Sequence, residues 1–368
     1  PELASALSTN KAAQELIEQG KALYRPTINF TASGSRSNTD IRFLDNNVQG
    51  GDGRANFNSY RAAIEARQPI YRKQNLVLMD QAKTQVSQAD KQYHLSQQAL
   101  ILRTTEAYFD VLIAQDNIDL IQAQKAAILS QLEQAKATFE VGTATITDVN
   151  EAQARYDLTV SQEVAAINAL EIAERSVQAI TNTIPRALFK IKPDIQVMPM
   201  EQSLEEWQEI AQKNNLNIQI QHDNVTFSQQ EVERANAGHL PTLDAVASYS
   251  NNYTDGSPTP FNAGNELKNA TIGLQLDIPI YQGGDISSKA KQAVLNKQKS
   301  QNQLDLARRQ ANLETQRAYL NLRTSIAQVA ALEQALISSQ SQLDSTELGY
   351  EVGVRTSVDV LNAQQQLY

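Results

Sequence analysis

Cysteine is absent from this 368-residue chain, and helix-breaking and aromatic residues are scarce. Without a thiol, the chain can form no disulfide, no thiolate metal site and no cysteine nucleophile. Glycine contributes 14 residues, proline 10 and the aromatic residues 6%, a composition that favours long helices over compact domains. The sequence also lacks a run of about 20 apolar residues, which excludes a helical membrane span. A transmembrane β-barrel stays open, because its apolar residues occupy alternate positions.

The charge of the chain is acidic and spread along its length. The 32 basic and 41 acidic residues give a formal net charge of -9, and neither sign forms a block. A general nucleic-acid-binding protein would need a basic face, which this balance does not predict. The chain begins at Pro1 without a methionine or an apolar signal segment, which predicts a processed or trimmed start.

An internal repeat organises the chain. Short motifs of the first half return in the same order in the second half, at separations of 210 to 215 residues. One pair is Phe139-Glu140-Val141-Gly142 and Tyr350-Glu351-Val352-Gly353, which lie 211 residues apart. Ordered motifs at a nearly constant offset indicate a duplication. Chance similarity between two helices rich in alanine and glutamine is the alternative.

We predict the same order of elements in both halves. The first repeat, 1–184, should contain a helix, strands at 26–45 and 58–71, a long helix at 72–139, a tip turn at 140–147 and a helix at 148–184. A connector with a short helix should occupy 185–214. The second repeat, 215–368, should contain a helix at 215–238, strands at 240–253 and 269–281, a long helix at 284–349, a tip turn at 350–357 and a truncated helix at 358–368. Because the counterpart of Ile184 would lie near position 395, we expect the last helix to continue beyond Tyr368.

The two long helices should pack laterally against other helices. Neither proline nor glycine occurs in 72–141 or in 285–348, and at about 1.5 Å per residue such segments form rods of roughly 95 to 105 Å. In the first of them, apolar residues recur every seven positions: Met79, Val86, Tyr93, Leu100, Ala107, Ala114, Ile121, Ile128 and Ala135. A second row contains Val111, Ile118, Leu132 and Phe139, and Lys125 interrupts it. Such a heptad pattern predicts close helix packing.

The strands preceding the long helices alternate between apolar and polar residues. In one of them, Ile272, Leu274 and Leu276 face one way, and Thr271 and Gln275 face the other. Each strand therefore has one apolar and one polar face. Two interpretations remain: a half-buried sheet in a soluble protein, or barrel strands whose apolar face contacts lipid. The polar stretches 40–58 and 251–269 predict surface loops.

No pattern in the sequence indicates an enzyme, a cofactor or a metal site. His94, His222 and His239 occur in separate contexts without carboxylates at metal-ligand spacing. Gly283-Gly284 lies between a strand and a helix, but the lysine and serine of a phosphate loop are missing. Nucleophile elbows and zinc-protease signatures are also missing. We therefore expect no enzymatic activity and no cofactor.

The two tip turns carry the most informative local motifs. In each, a glycine follows a long helix, and a Thr or Ser residue followed by an aspartate then begins the next helix. This order predicts a C-cap followed by an N-cap. Ordinary caps of helical hairpins are the plain interpretation. However, Arg355 has no basic counterpart at Ala144, so the two tips should differ in charge.

Several segments closely resemble the TolC-type outer-membrane channel proteins. They are Leu240-Pro241-Thr242-Leu243, Ile278-Pro279-Ile280-Tyr281-Gln282-Gly283-Gly284, Ala107-Tyr108-Phe109-Asp110-Val111-Leu112, 141–149 and 349–361. The resemblance covers both halves. It implies an α+β membrane protein, a homotrimer in which each chain contributes four strands to a twelve-stranded β-barrel that continues as a twelve-helix coiled α-barrel. It further implies a passive exit duct for tripartite efflux or type I secretion, in the outer membrane of a Gram-negative bacterium, with its helical part in the periplasm.

The same resemblance assigns roles to individual residues. Tyr350 and Arg355 would bind Asp148 and hold the periplasmic tip closed. Asp359 would form an acidic ring at the aperture, and Asn362 replaces the family's second aspartate, so cation affinity should be weaker than with two rings. The candidate residues for docking the adaptor are Val141, Gly142, Thr143, Val352, Gly353 and Val354. The implied partners are a periplasmic adaptor (membrane fusion protein), an inner-membrane transporter and outer-membrane lipid, without nucleic acid.

The main alternative is a soluble coiled-coil scaffold or a periplasmic adaptor protein built from helical hairpins. Such a protein would bury the apolar faces of the alternating strands within itself. It would also remain in solution without detergent. The exposure of the strand faces therefore separates the two interpretations.

Overall fold

The computed structural model of the chain describes residues 1–42, 53–185, 188–191, 201–257 and 263–368. In chain order, its elements are α1 (Glu2–Ala22), β1 (Thr27–Ile41), β2 (Gly53–Tyr71), α2 (Lys73–Glu140), α3 (Ile146–Thr181), α4 (Leu204–Asn214), α5 (Leu216–Asn236), a 3₁₀ turn (Ala237–His239), β3 (Thr242–Thr254), β4 (Asn265–Asp277), α6 (Asp285–Glu351) and α7 (Ser357–Leu367). Within these ranges, no helix has both the length and the apolar composition that crossing a membrane requires.

The chain divides into two compact units. The first consists of Pro1–Leu95 and Asn214–Gln310, and the second of Ser96–Lys213 and Ala311–Tyr368. The first unit contains all four strands, and the second contains both tip turns. Each unit therefore draws on both halves of the chain.

The four strands form one antiparallel sheet in the order β1-β2-β3-β4. The register places Phe30 opposite Ile64, and Ile64 opposite Tyr249, so apolar residues of neighbouring strands share a face. The pairing of β2 with β3 shifts between Pro69 and Tyr71. In the described part of a single chain, β1 pairs only with β2 and β4 only with β3, so each has one unpaired edge.

The apolar face of this sheet is exposed. Ile272 is 87% exposed, Leu274 69% and Phe30 67%. On the polar face, side chains bond to one another, as when Arg67 Nη2 donates to Gln275 Oε1 at 3.1 Å. Cores normally bury residues such as isoleucine and phenylalanine, so a contiguous exposed apolar face marks a surface that another phase or molecule covers.

A buried ion pair joins the sheet to the start of α2. Arg72 lies between β2 and α2, and its Nε donates to Asp244 Oδ1 at 2.9 Å while Nη2 bonds Oδ2. The Asp244 side chain is only 4% exposed. A guanidinium that binds both carboxylate oxygens fixes direction as well as distance. The pair therefore orients α2 relative to β3 within the first unit.

In the second unit, the heptad positions of α2 form the buried side of the helix. Ala107, Val111, Ile121, Ile128, Leu132 and Ala135 are all at most 9% exposed. Phe139, predicted to extend the second row, is instead 42% exposed, because the helix ends one residue later at Glu140. Lys125, which interrupts that row, forms an ion pair with Glu163 of α3. A lysine within a packed row is thus tolerated where the facing helix supplies a carboxylate.

Several boundaries differ from the predicted ones. Residues 278–281 were predicted as the end of the last strand, but β4 ends at Asp277, because Pro279 has no N–H to donate to a ladder. The predicted loop 251–269 is shorter, since β3 continues to Thr254 and β4 begins at Asn265. Similarly, β2 begins at Gly53 rather than at 58.

Two further boundaries shift by a few residues. The helix predicted at 148–184 spans Ile146–Thr181, and Asn182 ends it in a left-handed conformation with φ 60°. The strand predicted at 26–45 ends at Ile41. Residues 43–52 of the first predicted loop, and residues 186–187 and 192–200 of the connector, lie outside the described residues.

Candidate functional site

The two tip turns have the same backbone structure. Gly142 and Gly353 both adopt left-handed conformations, with φ 80° and 77°. The N–H of Thr143 donates to the carbonyl of Thr138 at 2.9 Å, and the N–H of Val354 donates to the carbonyl of Gly349 at 2.8 Å. These bonds satisfy the last carbonyls of α2 and α6 and turn the chain away from the helix.

A capping box begins the helix after each turn. Asp148 Oδ2 accepts from Thr145 N at 2.9 Å and from Thr145 Oγ1 at 2.8 Å. Asp359 Oδ2 accepts from Thr356 N and from Thr356 Oγ1, both at 2.9 Å. The N-caps are thus Thr145 and Thr356, each three residues before its aspartate. Both candidate site aspartates therefore have a structural role within their own helix.

The Asp359 carboxyl has a pKa below its usual range. The largest cause is the hydrogen bond from the Thr356 backbone N–H, followed by the bond from the Thr356 hydroxyl. The positive charge of Arg355 lowers the pKa further. Hydrogen bonds to the ionised form stabilise it, so Asp359 carries its negative charge at neutral pH.

The two turns differ at two positions, one near the end of the long helix and one in the turn. In the first turn the pair is Thr138 and Ala144, and in the second it is Gly349 and Arg355. A Cβ on Gly349 would lie 2.7 Å from Arg355 Cγ. Because Gly349 has no side chain, the stem of Arg355 can lie across the end of α6.

Tyr350 lies against a small apolar cluster of the second tip. Its ring packs beside Leu343, Val360 and Ala363. Within the described residues of a single chain, neither Tyr350 nor Arg355 is hydrogen-bonded to Asp148. The predicted gate contact is therefore not an intramolecular contact here.

The predicted docking residues are prominent at the surface. Val141 is 74% exposed, Val352 66% and Val354 75%. Gly142, Thr143 and Gly353 are exposed as well. Each turn thus presents apolar side chains beside a glycine, at the end of a rigid helical hairpin.

The two hairpins of the chain contact each other through α3 and α7. Leu361 of α7, 2% exposed, packs against Ile128, Leu132 and Ala152 of the first hairpin. Next to this cluster, Arg155 of α3 donates from Nη2 to Asn362 Oδ1 at 2.8 Å and from Nη1 to Gln365 Oε1 at 2.8 Å.

Sequence reasoning missed Arg155. It lies three residues after Ala152 and four before Thr159, both of which are buried. This spacing places Arg155 on the packed face of α3. A charged residue at that spacing could have been recognised as a cross-helix contact, as Lys125 could have been on α2.

Among the residues that the structure describes, no group of His, Asp or Glu side chains could hold a metal ion. The site thus consists of two capped turns, exposed valines, one arginine at the second turn and a polar contact between hairpins. None of these groups is arranged as a nucleophile and its base. The arrangement is suited to holding helices together rather than to chemistry.

Comparison with known proteins gives concordant matches. The sequence profile of the family described as "Outer membrane efflux protein" matches residues 1–183 and 207–368. The outer membrane protein TolC of Vibrio cholerae is 34% identical over all of this chain and 82% of its own length. The proteases secretion protein PrtF of Dickeya chrysanthemi is 29% identical over 97% of this chain and 77% of its own length. Among solved structures, the Vibrio cholerae outer membrane protein VceC superposes with a TM-score of 0.80 at 19% identity, covering 100% of this chain and 86% of that one.

Proposed function

Because this chain belongs to the outer membrane efflux protein family, we propose that three copies of it form one passive duct that is closed at the tip turns. The chain is an exit duct of the Gram-negative outer membrane for efflux and type I secretion. Its relatives are channel proteins rather than enzymes. The trimer, the gate and the docking surface are the parts that we add.

The proposal of a trimer rests on the two unpaired edges of the sheet. Its two unpaired edges belong to β1 and β4, which run in opposite directions, so the β4 of one chain can pair antiparallel with the β1 of the next. One four-stranded sheet is too small to close, since the smallest membrane barrels have about eight strands. Three chains would provide twelve strands and would leave no open edge.

Outer-membrane lipid would cover the apolar face of this closed sheet. The face includes Ile272 at 87% and Ile28 at 71% exposure. A soluble scaffold or a periplasmic adaptor would bury these residues within the protein, so their exposure favours the duct over that alternative. Twelve paired strands also satisfy every backbone group inside the hydrocarbon region, as a membrane requires.

For the gate, we propose contacts between neighbouring chains. Arg355 and Tyr350 of one chain would bind Asp148 of the next, and three such contacts would close a ring of hairpins. Asp148 uses Oδ2 for its capping box, and in the described residues its Oδ1 accepts no hydrogen bond. A charge-assisted bond to that oxygen would lock the tips without disturbing the cap.

At the aperture, Asp359 would provide one negative charge per chain. Its lowered pKa keeps the ring ionised at neutral pH. Asn362, one helical step further along α7, adds no charge. We therefore expect a cation affinity lower than that of a mouth with two acidic rings.

The exposed valines of both turns would dock a periplasmic adaptor, which connects the duct to an inner-membrane transporter. Val141, Val352 and Val354 are well placed for this, because they protrude from rigid hairpins. Small apolar groups next to glycine let a partner helix approach closely. Since the chain has no cysteine, a single Val352→Cys substitution gives a clean cross-linking test with a purified adaptor. Equal cross-linking from Leu306→Cys on α6, 54% exposed, would contradict the assignment.

Planar-bilayer recording of detergent-purified protein tests the duct and its gate, with the trimer checked by light scattering. We expect discrete low-conductance currents from the natural sequence and a several-fold higher conductance from Tyr350→Phe combined with Arg355→Ala. Gly349→Ala should raise conductance less, because its Cβ displaces Arg355 without removing it. An unchanged low conductance in the double variant would count against the gate. A monomer that needs no detergent would overturn the duct.

A further inference from the structure

Arg155 forms three hydrogen bonds at the contact between the hairpins. Its Nη2 donates to Asn362 Oδ1 and its Nη1 to Gln365 Oε1, each at 2.8 Å. Nη2 also lies 3.3 Å from Glu151 Oε1 on its own helix. The two acceptors of α7 are three residues apart and so lie on successive turns of one face. A planar guanidinium can bind both at once, whereas an ammonium cannot reproduce this geometry.

The surroundings hold this side chain in place. Its stem lies on the face of α3 that contains Ala152, fully buried, and Thr159, 3% exposed. The Arg155 side chain is itself only 24% exposed. Leu361, the neighbour of Asn362, is packed into the first hairpin. The Arg155 side chain is therefore partly shielded from water, while its acceptors Asn362 and Gln365 are exposed.

The two acceptors of Arg155 lie on the same face of α7 as Asp359, the proposed aperture residue. Asp359, Asn362 and Gln365 follow one another at intervals of three along α7, and residues at this spacing share a helix face. Arg155 thus bonds the residue that lies one helical step after the carboxylate proposed to form the acidic ring.

We propose that Arg155 is a positioning residue with two effects on the duct, and this inference rests on the proposed function. It couples the two hairpins of a chain, so that they open as one body. It would also offset a negative charge at position 362, so that the aperture presents one acidic ring with the present asparagine and also with an aspartate in its place. Arg355, Tyr350 and Asp148 act between chains, whereas Arg155 acts within one.

The test measures single-channel conductance and its block by Mg²⁺ in planar bilayers. We expect Arg155→Gln to raise conductance at least twofold. Asn362→Asp alone should shift the half-blocking Mg²⁺ concentration less than twofold, because Arg155 compensates the new carboxylate. The double variant should lower that concentration about tenfold, since a second ring is then uncompensated. Equal block in Asn362→Asp with and without Arg155 would overturn the charge effect.

Arg175 provides a matched control on the same helix. It contacts Glu171 at 3.4 Å and Gln178 at 3.0 Å, both within α3, and has no contact with α7. Arg175→Gln should therefore change neither conductance nor block. A conductance of Arg155→Gln equal to that of Arg175→Gln would overturn the coupling. Arg155→Lys should keep the charge effect but lose the coupling, because lysine retains the charge without the planar fork.

A distance measurement separates failure of this inference from failure of the duct. Spin labels at Asn150→Cys of α3 and Gln366→Cys of α7, both exposed positions, report the hairpin separation in solubilised protein without any current. In assemblies with one labelled chain, Arg155→Gln should broaden the distance distribution, and Arg175→Gln should not. An unchanged distribution would overturn the coupling even if the protein conducts. A protein that does not conduct but shows the broadening would contradict the proposed function alone.

Discussion

The first and second tip turns have one backbone and two different sets of side chains. Both turns have a left-handed glycine, a hydrogen bond from a turn N–H to the helix carbonyl five residues earlier, and a capping box, all at matching positions. The differences include Thr138 and Ala144 against Gly349 and Arg355. The comparison teaches that glycine and capping residues determine the turn, while the residues between them can diverge.

A second difference concerns which tip is buried. Leu361 of α7 is 2% exposed, whereas its counterpart 211 residues earlier, Asn150, is exposed. In one chain, then, the second tip inserts an apolar side chain into the first hairpin and presents an arginine outward. The first hairpin receives the Leu361 side chain, and its Arg155 forms hydrogen bonds to Asn362 and Gln365 of the second hairpin. A ring of identical chains would alternate inserting and receiving hairpins.

The largest expected effect comes from replacing the buried side chain of the second tip. Leu361→Asn should lower the free energy of unfolding by about 3 kcal/mol, because it removes a packed side chain and buries an amide. Asn150→Ala, at the matching position, should change it by less than about 0.5 kcal/mol. Denaturant unfolding of the solubilised protein, followed by circular dichroism, measures both. Similar losses in the two variants would show that the tips are equally buried in the assembly.

A smaller effect tests the shared backbone. Gly142→Ala and Gly353→Ala should each cost about 1 to 2 kcal/mol, since an L-residue is strained in the left-handed region. The two losses should be equal, because a Cβ at either position meets nothing within 4 Å. Gly273→Ala in β4 also meets nothing and has no positive φ, so it serves as the control. Unequal losses in the same unfolding measurement would mean that the turns differ in backbone after all.

The smallest effect concerns the caps and their response to acid. Thr145→Ala and Thr356→Ala should each cost about 1 kcal/mol at neutral pH. The depressed pKa of Asp359 means that its cap contributes above the ordinary aspartate pKa of about 3.9 and is lost as pH falls further. Thr356→Ala removes the hydroxyl bond but keeps the backbone N–H bond, which is the larger cause of the lowered pKa, so its difference from the natural sequence should shrink only in part below that pH. Thr356→Ser, which keeps the hydroxyl, should retain the acid dependence, and its loss there would contradict the argument.

Local chemistry made the turns and strands predictable from the sequence. Gly142 and Gly353 follow long segments without helix breakers, so the end of a helix could be predicted from the sequence at both. Alternation in β4 likewise identified the strand and its apolar face, although the strand begins earlier, at Asn265, and ends earlier, before Pro279. The trimer and the gate remain predictions.

Contacts between distant parts of the chain were harder to predict. Lys125 pairs with Glu163, 38 residues away, and Arg155 bonds Asn362, 207 residues away. Their partners depend on which helices become neighbours, and the local pattern does not state that. The fit between Gly349 and Arg355 was hidden for a different reason, since it arises only when the turn brings the arginine back over the helix end.

The two open edges of the sheet also determine how the protein must be made. A newly folded single chain would expose unpaired backbone groups on β1 and β4, and every residue of β4 is exposed. Such edges pair readily with other strands, so a lone chain is vulnerable to aggregation. In the proposed trimer, completing the sheet would require encounters between chains, and its rate should rise with their concentration. Productive association would then compete with misassembly, so that the yield of the assembled protein would depend on how long a lone edge stays unpaired.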